Sequence, residues 1–218
     1  MRQRVGWALP TERKENAIFV LRSGVSKIPD YRRYFVPGGT YFLTVATYRR
    51  RPLLTDPNNL RRLRQAIREV KRDQPFEVLA AVVLPDHLHF VWSLPAGDDQ
   101  YPKRIGRMKV LFTRSYRGQG VEPRAVSASR RKHRESDVWQ RRFWEHTIRD
   151  EHECGRCLDY VHYNLVKHGL ATCPHLWKAS SFHRWVERTL YEPHWGCCCA
   201  GQEPAELDFS GIEGRAGE

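Results

Sequence analysis

Two periods run through the apolar positions of the chain. After the turn-forming Pro37-Gly38-Gly39, the run Thr40-Tyr-Phe-Leu-Thr-Val-Ala-Thr47 is dense in β-branched and aromatic residues and predicts a first strand. Asp56-Pro57-Asn58 then supplies a cap and a turn. Leu60, Leu63, Ile67 and Val70 follow at helical spacing with Arg61, Arg62, Arg64 and Arg68 between them, which predicts an amphipathic helix with an arginine-rich outer face. Phe76 to Leu84 is almost continuously apolar and is separated by Pro85-Asp86 from His87-Leu-His-Phe-Val-Trp-Ser-Leu94, so two buried strands joined by a tight turn are expected.

Ile105, Met108, Leu111 and Phe112 mark a second helix over about 101–116, ringed by Lys103, Arg104, Arg107, Lys109 and Arg114. From Arg117 to Asp137 the chain is rich in Gly, Ser and Arg without periodicity and reads as a mobile basic loop able to lie along a phosphate backbone. An extended piece within Val138–Ile148, a helix from Asp150 to His168 stopped by Gly169, and a last helix over about 180–190 complete the pattern. The order strand, helix, strand, strand, helix, strand predicts an α+β fold: a single ferredoxin-like sandwich with a mainly antiparallel sheet and helices packed on one face. Residues 1–28 lack periodicity and are expected to be an extension, 29–195 the folded domain, and 196–218 a solvated acidic tail.

Charge changes this picture from a generic domain to one with a polyanionic partner. The net charge is +12 and it is clustered: Tyr31–Arg72 carries eleven basic residues against Asp56 and Glu69, and Tyr101–Arg142 thirteen against Glu122, Glu135 and Asp137. Two strongly basic blocks in a soluble chain point to nucleic acid. No run approaches the length of a membrane helix and no secretory signal opens the chain, so a cytoplasmic protein is expected. Cys154-x-x-Cys157 has the spacing of a zinc or redox pair. Its next candidate partners are Cys197-Cys198-Cys199 in the tail, so free thiols are expected rather than a metal site.

Two constellations carry candidate chemistry. His87 and His89 flank Leu88 on a predicted strand, where residues i and i+2 share a face, so both imidazoles point the same way from a rigid element. Two histidines satisfied by hydrogen bonds would look the same in sequence. In Asp159-Tyr-Val-His-Tyr-Asn164, Tyr160 and Asn164 stand four apart on a helix and share a face, presenting a phenol beside an amide oxygen. An ordinary helix with a half-buried tyrosine also fits.

Taken together, Leu84-Pro-Asp-His-Leu-His89, Val138-Trp-Gln-Arg-Arg-Phe-Trp-Glu-His146 and Asp159-Tyr-Val-His-Tyr-Asn164 with Val166-Lys-His-Gly169 resemble the REP-associated tyrosine transposases, relatives of the single-tyrosine insertion-sequence transposases. The resemblance spans about residues 30–195, and Leu165 stands where members often carry Pro. It implies that His87, His89 and Asn164 hold a divalent metal, that Tyr160 is the nucleophile, and that Tyr163 lies on another helix face. It further implies metal-dependent cleavage of single-stranded DNA beside a palindromic hairpin, through a covalent 5'-phosphotyrosine, by a monomer. Two imidazoles and one amide oxygen suit Mg or Mn, the imidazoles favouring Mn. Contacts to DNA are expected at Arg32, Arg33, Tyr34, Arg49, Arg50, Arg51, Lys109, Arg141 and Arg142, where guanidiniums and rings are interleaved. The alternative is a nucleic-acid binder that does not cleave, although the Lys/Arg-Gly-aromatic strand signature of RNA-recognition domains is missing.

Overall fold

The computed structural model describes residues 35–133, 135–198 and the single positions 207, 209 and 212. The expected extension over residues 1–28 lies outside the described residues. Strands β1 (Thr40–Ala46), β2 (Glu77–Val83), β3 (His87–Ser93) and β4 (Trp144–Ile148) form one sheet in the order β2-β3-β1-β4, with every neighbouring pair antiparallel. The helices are α1 (Pro57–Asp73), α2 (Tyr101–Arg117), α3 (Ala128–Lys132), α4 (Glu151–Lys167) and α5 (Phe182–Glu187). With α1 between β1 and β2, and α2 between β3 and β4, this is the α+β, ferredoxin-like sandwich that the element order predicts.

Strand alternation sorts the core into two layers. Tyr41, Leu43 and Val45 of β1 and Leu88, Phe90 and Trp92 of β3 meet Leu63, Ala66 and Val70 of α1 and Ile105, Met108 and Phe112 of α2. Helices α1 and α2 thus cover one face, whereas the third long helix, α4, lies on the other instead of joining them on a single helical face. On the other face Phe42, Val82 and Val91 meet Cys157, Tyr160, Val161 and Leu165 of α4. Thr44, His87 and His89 alternate onto this second face, beneath α4.

Helix α4 is fixed at both ends. Asp150 caps its first turn by accepting from Glu153 N at 2.8 Å, while Glu153 accepts from Arg149 N at 2.8 Å and contacts His146 Nε2 of β4 at 2.6 Å. At the far end Gly169, with φ +65°, allows Gly169 N to reach Val166 O and Leu170 N to reach Leu165 O, the paired bonds of a left-handed helix stop. The β2–β3 turn is likewise pinned: Leu84 N bonds His87 O, and Asp86 O accepts from both the amide and the hydroxyl of Thr47. The outer edge of β2 is covered by the segment before α5, through Val83 N to Ala179 O and Ser181 N to Ala81 O.

Three further features differ from expectation. Arg104 is buried rather than on the outer face of α2, because its guanidinium pairs both oxygens of Asp98 (2.9 and 2.6 Å) and bonds the carbonyls of Gln74 and Pro75. The segment expected as a mobile basic loop contains α3 and gathers around Asp137, a buried acid that pairs Arg51 at 3.3 Å and also Arg117. The acidic tail is not wholly solvated: Leu207, Phe209 and Ile212 sit at apolar spacing among its acids and pack into the α4 layer.

His162 gives the fold a distinct acid response. Its Nε2 lies 2.8 Å from Ser181 Oγ, and burial, reinforced by the nearby Arg184 charge, pushes its pKa down to about 3. The unfolded chain therefore takes up this proton first, near its ordinary 6.5. The stability contribution of the neutral ring is complete above that value and is lost as pH falls from there toward 3, at up to about 1.4 kcal/mol per pH unit. His162→Gln keeps a partner for Ser181 and is expected to flatten the acid limb of urea melts between about pH 6.5 and 4. An unchanged slope would assign the acid sensitivity elsewhere.

Candidate active site

The layer between the sheet and α4 brings together four of the residues singled out in the sequence. His87 and His89 stand on the same face of β3 with ring centroids 5.0 Å apart. Tyr160 of α4 lies over them, its ring 5.5 Å from that of His89, and Asn164 follows one helical turn later; Tyr160, Asn164 and His89 are fully buried and His87 nearly so. Phe42 flanks both His89 (5.4 Å) and Tyr160 (5.6 Å), and Trp144 of β4 closes the wall behind it.

Each imidazole is held by its Nδ1. His87 Nδ1 contacts Asp86 Oδ1 at 2.6 Å and His89 Nδ1 contacts Thr44 Oγ1 at 2.9 Å. The Asp86 carboxylate can only accept, so it fixes the proton on His87 Nδ1 and leaves Nε2 as the atom that ring presents to the site, the tautomer that metal-binding histidines adopt; the Thr44 hydroxyl orients the His89 ring and can donate or accept at its Nδ1. Nε2 of His87 is buried and meets no hydrogen-bond partner among the described residues. Burial, and after it the neighbouring His89, push the His87 pKa down to about 4 against the pull of Asp86, so the ring is neutral at physiological pH. The neutral imidazole of His87, the imidazole of His89 and the amide of Asn164 form a donor set that fits a divalent ion with open positions left for oxygen ligands.

Other groups at the site were quoted in sequence motifs without a role. Asp86 also pairs Arg50 Nε at 3.6 Å, the His168 ring is 5.6 Å from that of His87, and Lys167 Nζ stands 5.1 Å from the Tyr160 ring centroid. Thr44 has no sequence signal of its own; its role appears only once β1 and β3 are in register, with Thr44 opposite His89. The Phe209 ring packs edge-on against the Tyr160 ring from the tail, with centroids 5.3 Å apart. Tyr163, the other tyrosine of the motif, is half-buried against Phe209 and Trp195, so the Phe209 ring touches both tyrosines.

The basic residues expected to touch DNA are dispersed. Arg50 is at the site edge through Asp86, and Arg49 is exposed beside Tyr48 in a left-handed backbone conformation (φ 57°). Arg51 is engaged with Asp137. Lys109 and Arg141 line a cavity of about 310 Å3 on the α2 side, with Arg114, Arg130 and Trp139, away from the histidines. Arg142 is exposed, and Arg32, Arg33 and Tyr34 lie outside the described residues.

Comparison with known proteins decides the family. The family described as "Transposase IS200 like" matches residues 36–164, ending on Asn164 itself. The REP-associated tyrosine transposase of Escherichia coli K12 is 42% identical over 167 residues, covering 76% of this chain and 90% of its own length. The chain belongs to the REP-associated tyrosine transposases. A Haemophilus influenzae protein given the same family designation is 44% identical over 168 residues, covering 77% of this chain and 93% of its own. A solved REP-associated tyrosine transposase, bound to a REP hairpin, superposes with a TM-score of 0.65 at 39% identity and covers 82% of this chain and 99% of its own. The resemblance read from the sequence motifs is therefore borne out, and the protein is an enzyme of the tyrosine transposase class.

Proposed function

We propose that this transposase cleaves single-stranded DNA beside a palindromic repeat hairpin, with Tyr160 as the nucleophile and His87, His89 and Asn164 as ligands of a divalent Mg or Mn ion. The observation that carries the proposal is the meeting, under α4, of two imidazoles oriented by Asp86 and Thr44 with a buried tyrosine and an asparagine one turn apart. The hairpin is the ligand of the solved relative. The proposed protein works in the cytoplasm as a monomer.

When bound, the ion would polarise the scissile phosphate and offset its developing charge. The chain supplies the rest. Tyr160 O attacks phosphorus and loses its proton; the bond from phosphorus to the 3'-side oxygen breaks, leaving a 5'-phosphotyrosine and a free 3' hydroxyl. One phosphodiester replaces another, so rejoining needs no nucleotide cofactor. A phenol titrates near 10, and the cation of Lys167 beside the ring favours the phenolate as it forms. Asp86 holds His87 in the ligating tautomer, Thr44 orients the ring of His89, and Phe42 and Trp144 restrict water behind the tyrosine.

The test is to incubate the purified protein with end-labelled hairpin DNA carrying a single-stranded flank, with and without Mn, and to seek a denaturant-resistant protein–DNA adduct. A metal-dependent adduct on the 5' fragment is expected. Tight hairpin binding without cleavage at any metal concentration would overturn the proposal in favour of a binder.

The arginines after β1 separate binding from folding. Arg49→Glu is expected to weaken DNA binding and lower its salt slope by about 0.7 per lost single-strand contact, without changing stability. Arg51→Glu places a carboxylate against buried Asp137 and is expected to cost about 2–3 kcal/mol of stability. Equal salt slopes for Arg49→Glu and the parent would remove Arg49 from the DNA interface.

A further inference from the structure

A second group of metal-ligating side chains lies apart from the histidines of β3. Cys173 and His175 stand in the short turn after α4, and Cys197 closes another turn 24 residues beyond Cys173 through its amide bond to His194 O. Ligand atoms of Cys173, His175 and Cys197 all fall within 4.8 Å of one another, and His194 brings a fourth candidate, its ring centroid 5.3 Å from that of His175. In sequence this is Cys173-x-His175 followed by His194-x-x-Cys197, two short-spaced pairs on two turns.

We propose that in the reduced chain these four residues hold a structural zinc ion. Zn–S bonds of about 2.3 Å and Zn–N bonds of about 2.0 Å in a tetrahedron separate neighbouring ligand atoms by roughly 3.3–3.8 Å. Cys197 Sγ and His175 Nδ1 are 3.6 Å apart, inside that range. The structure joins the two sulfurs as a disulfide. Such a bond uses two of the four groups and requires a two-electron oxidant. Zinc uses all four: the two thiols release their protons and no electron moves. The Cys154/Cys157 pair is unsuited to the same role, since burial raises both thiols, Cys154 to about 11.

The centre would fasten the chain that follows α4 to the stretch before the tail. The two segments already share the bond from Cys198 N to Thr172 O. Gly196, at φ +68°, lies so near that a Cβ there would come within 3.1 Å of the Tyr163 ring and 3.3 Å of Pro174. A zinc ion here would brace α4 at Tyr163, and it would do so whether or not the proposed cleavage chemistry holds.

The test uses the full-length protein, purified anaerobically from a zinc-supplemented reducing cytoplasm. One zinc per chain is expected to survive dialysis against a weak chelator. Replacement by Co(II) is expected to give the thiolate charge-transfer band and the intense visible bands of a tetrahedral site. Cys173→Ser, Cys197→Ser and His175→Ala are each expected to drop zinc content to below about a tenth of a site, whereas His87→Ala and His89→Ala retain it. His194→Ala is expected to weaken binding and shift the cobalt bands; unchanged bands would remove His194 from the ligand set. A metal-free protein whose mass is lower by two hydrogens, or a bound zinc indifferent to Cys173→Ser, would overturn the proposal. Should Cys197→Ser fail to fold, the cobalt spectrum of the parent protein decides alone.

Discussion

Tyr160→Phe is expected to bind hairpin DNA and Mn almost as the parent does, and to form no covalent adduct. The substitution deletes one oxygen and keeps the ring, which lies among Phe42, His89 and Phe209 at centroid distances of 5.6, 5.5 and 5.3 Å. Packing of α4 should survive, with a stability loss of at most about 1 kcal/mol if the hydroxyl makes an ordinary hydrogen bond. Cleavage disappears with the nucleophile, because a water at the metal would not stand in line with the leaving oxygen as the phenol does. Tyr163→Phe, three residues on in the same helix and packed on Trp195, is the matched control and is expected to keep most activity. An adduct formed by Tyr160→Phe, or lost in Tyr163→Phe, would reassign the nucleophile. Cleavage by Tyr160→Phe without adduct would point to a water-using nuclease.

His87→Ala and His89→Ala are expected to remain folded and to lose metal-dependent cleavage by about a hundredfold or more, since removing a ligand forfeits several kcal/mol of transition-state stabilisation. Asp86→Asn leaves both imidazoles in place but weakens the partner that orients His87 at 2.6 Å, so a smaller loss of about 10- to 100-fold is expected, recovered in part at high metal. Circular dichroism and metal titration of cleavage distinguish the cases. Wild-type rates with an unchanged metal requirement in either alanine variant would rule out the site.

The parts of this arrangement legible in sequence were those set by short spacing. His87 and His89 share a strand face because they are two apart, Tyr160 and Asn164 a helix face because they are four apart, and Gly169 ends that helix because only a left-handed residue fits there. Contacts that depend on tertiary placement were not legible. Thr44 reaches His89 across 45 residues only after the β1–β3 register is set. Arg104 read as a surface charge because its partners, Asp98 and the carbonyls at the end of α1, belong to different turns. The cysteines read as unpaired because the spacing Cys154-x-x-Cys157 is local, whereas Cys173 meets Cys197 only when the chain doubles back. Phe209 was hidden by its acidic surroundings, which set the composition of the tail but not the destination of its few apolar side chains.

The proposed ligands belong to different layers: His87 and His89 to an interior strand bonded on both sides, Asn164 to a helix resting on that strand's face. An ion shared by all three would couple its own affinity to the docking of α4. At a free concentration of a hundred times its dissociation constant it would add about 2.7 kcal/mol to the docked state. The coupling is reciprocal, so a change that loosens α4, at the Glu153–His146 contact or the Gly169 stop, would weaken metal binding without touching a ligand once it populates the undocked state of the metal-free chain, in proportion to that population. Metal affinity in this protein would then serve as a gauge of interlayer cohesion, readable by titration in variants far from the ion.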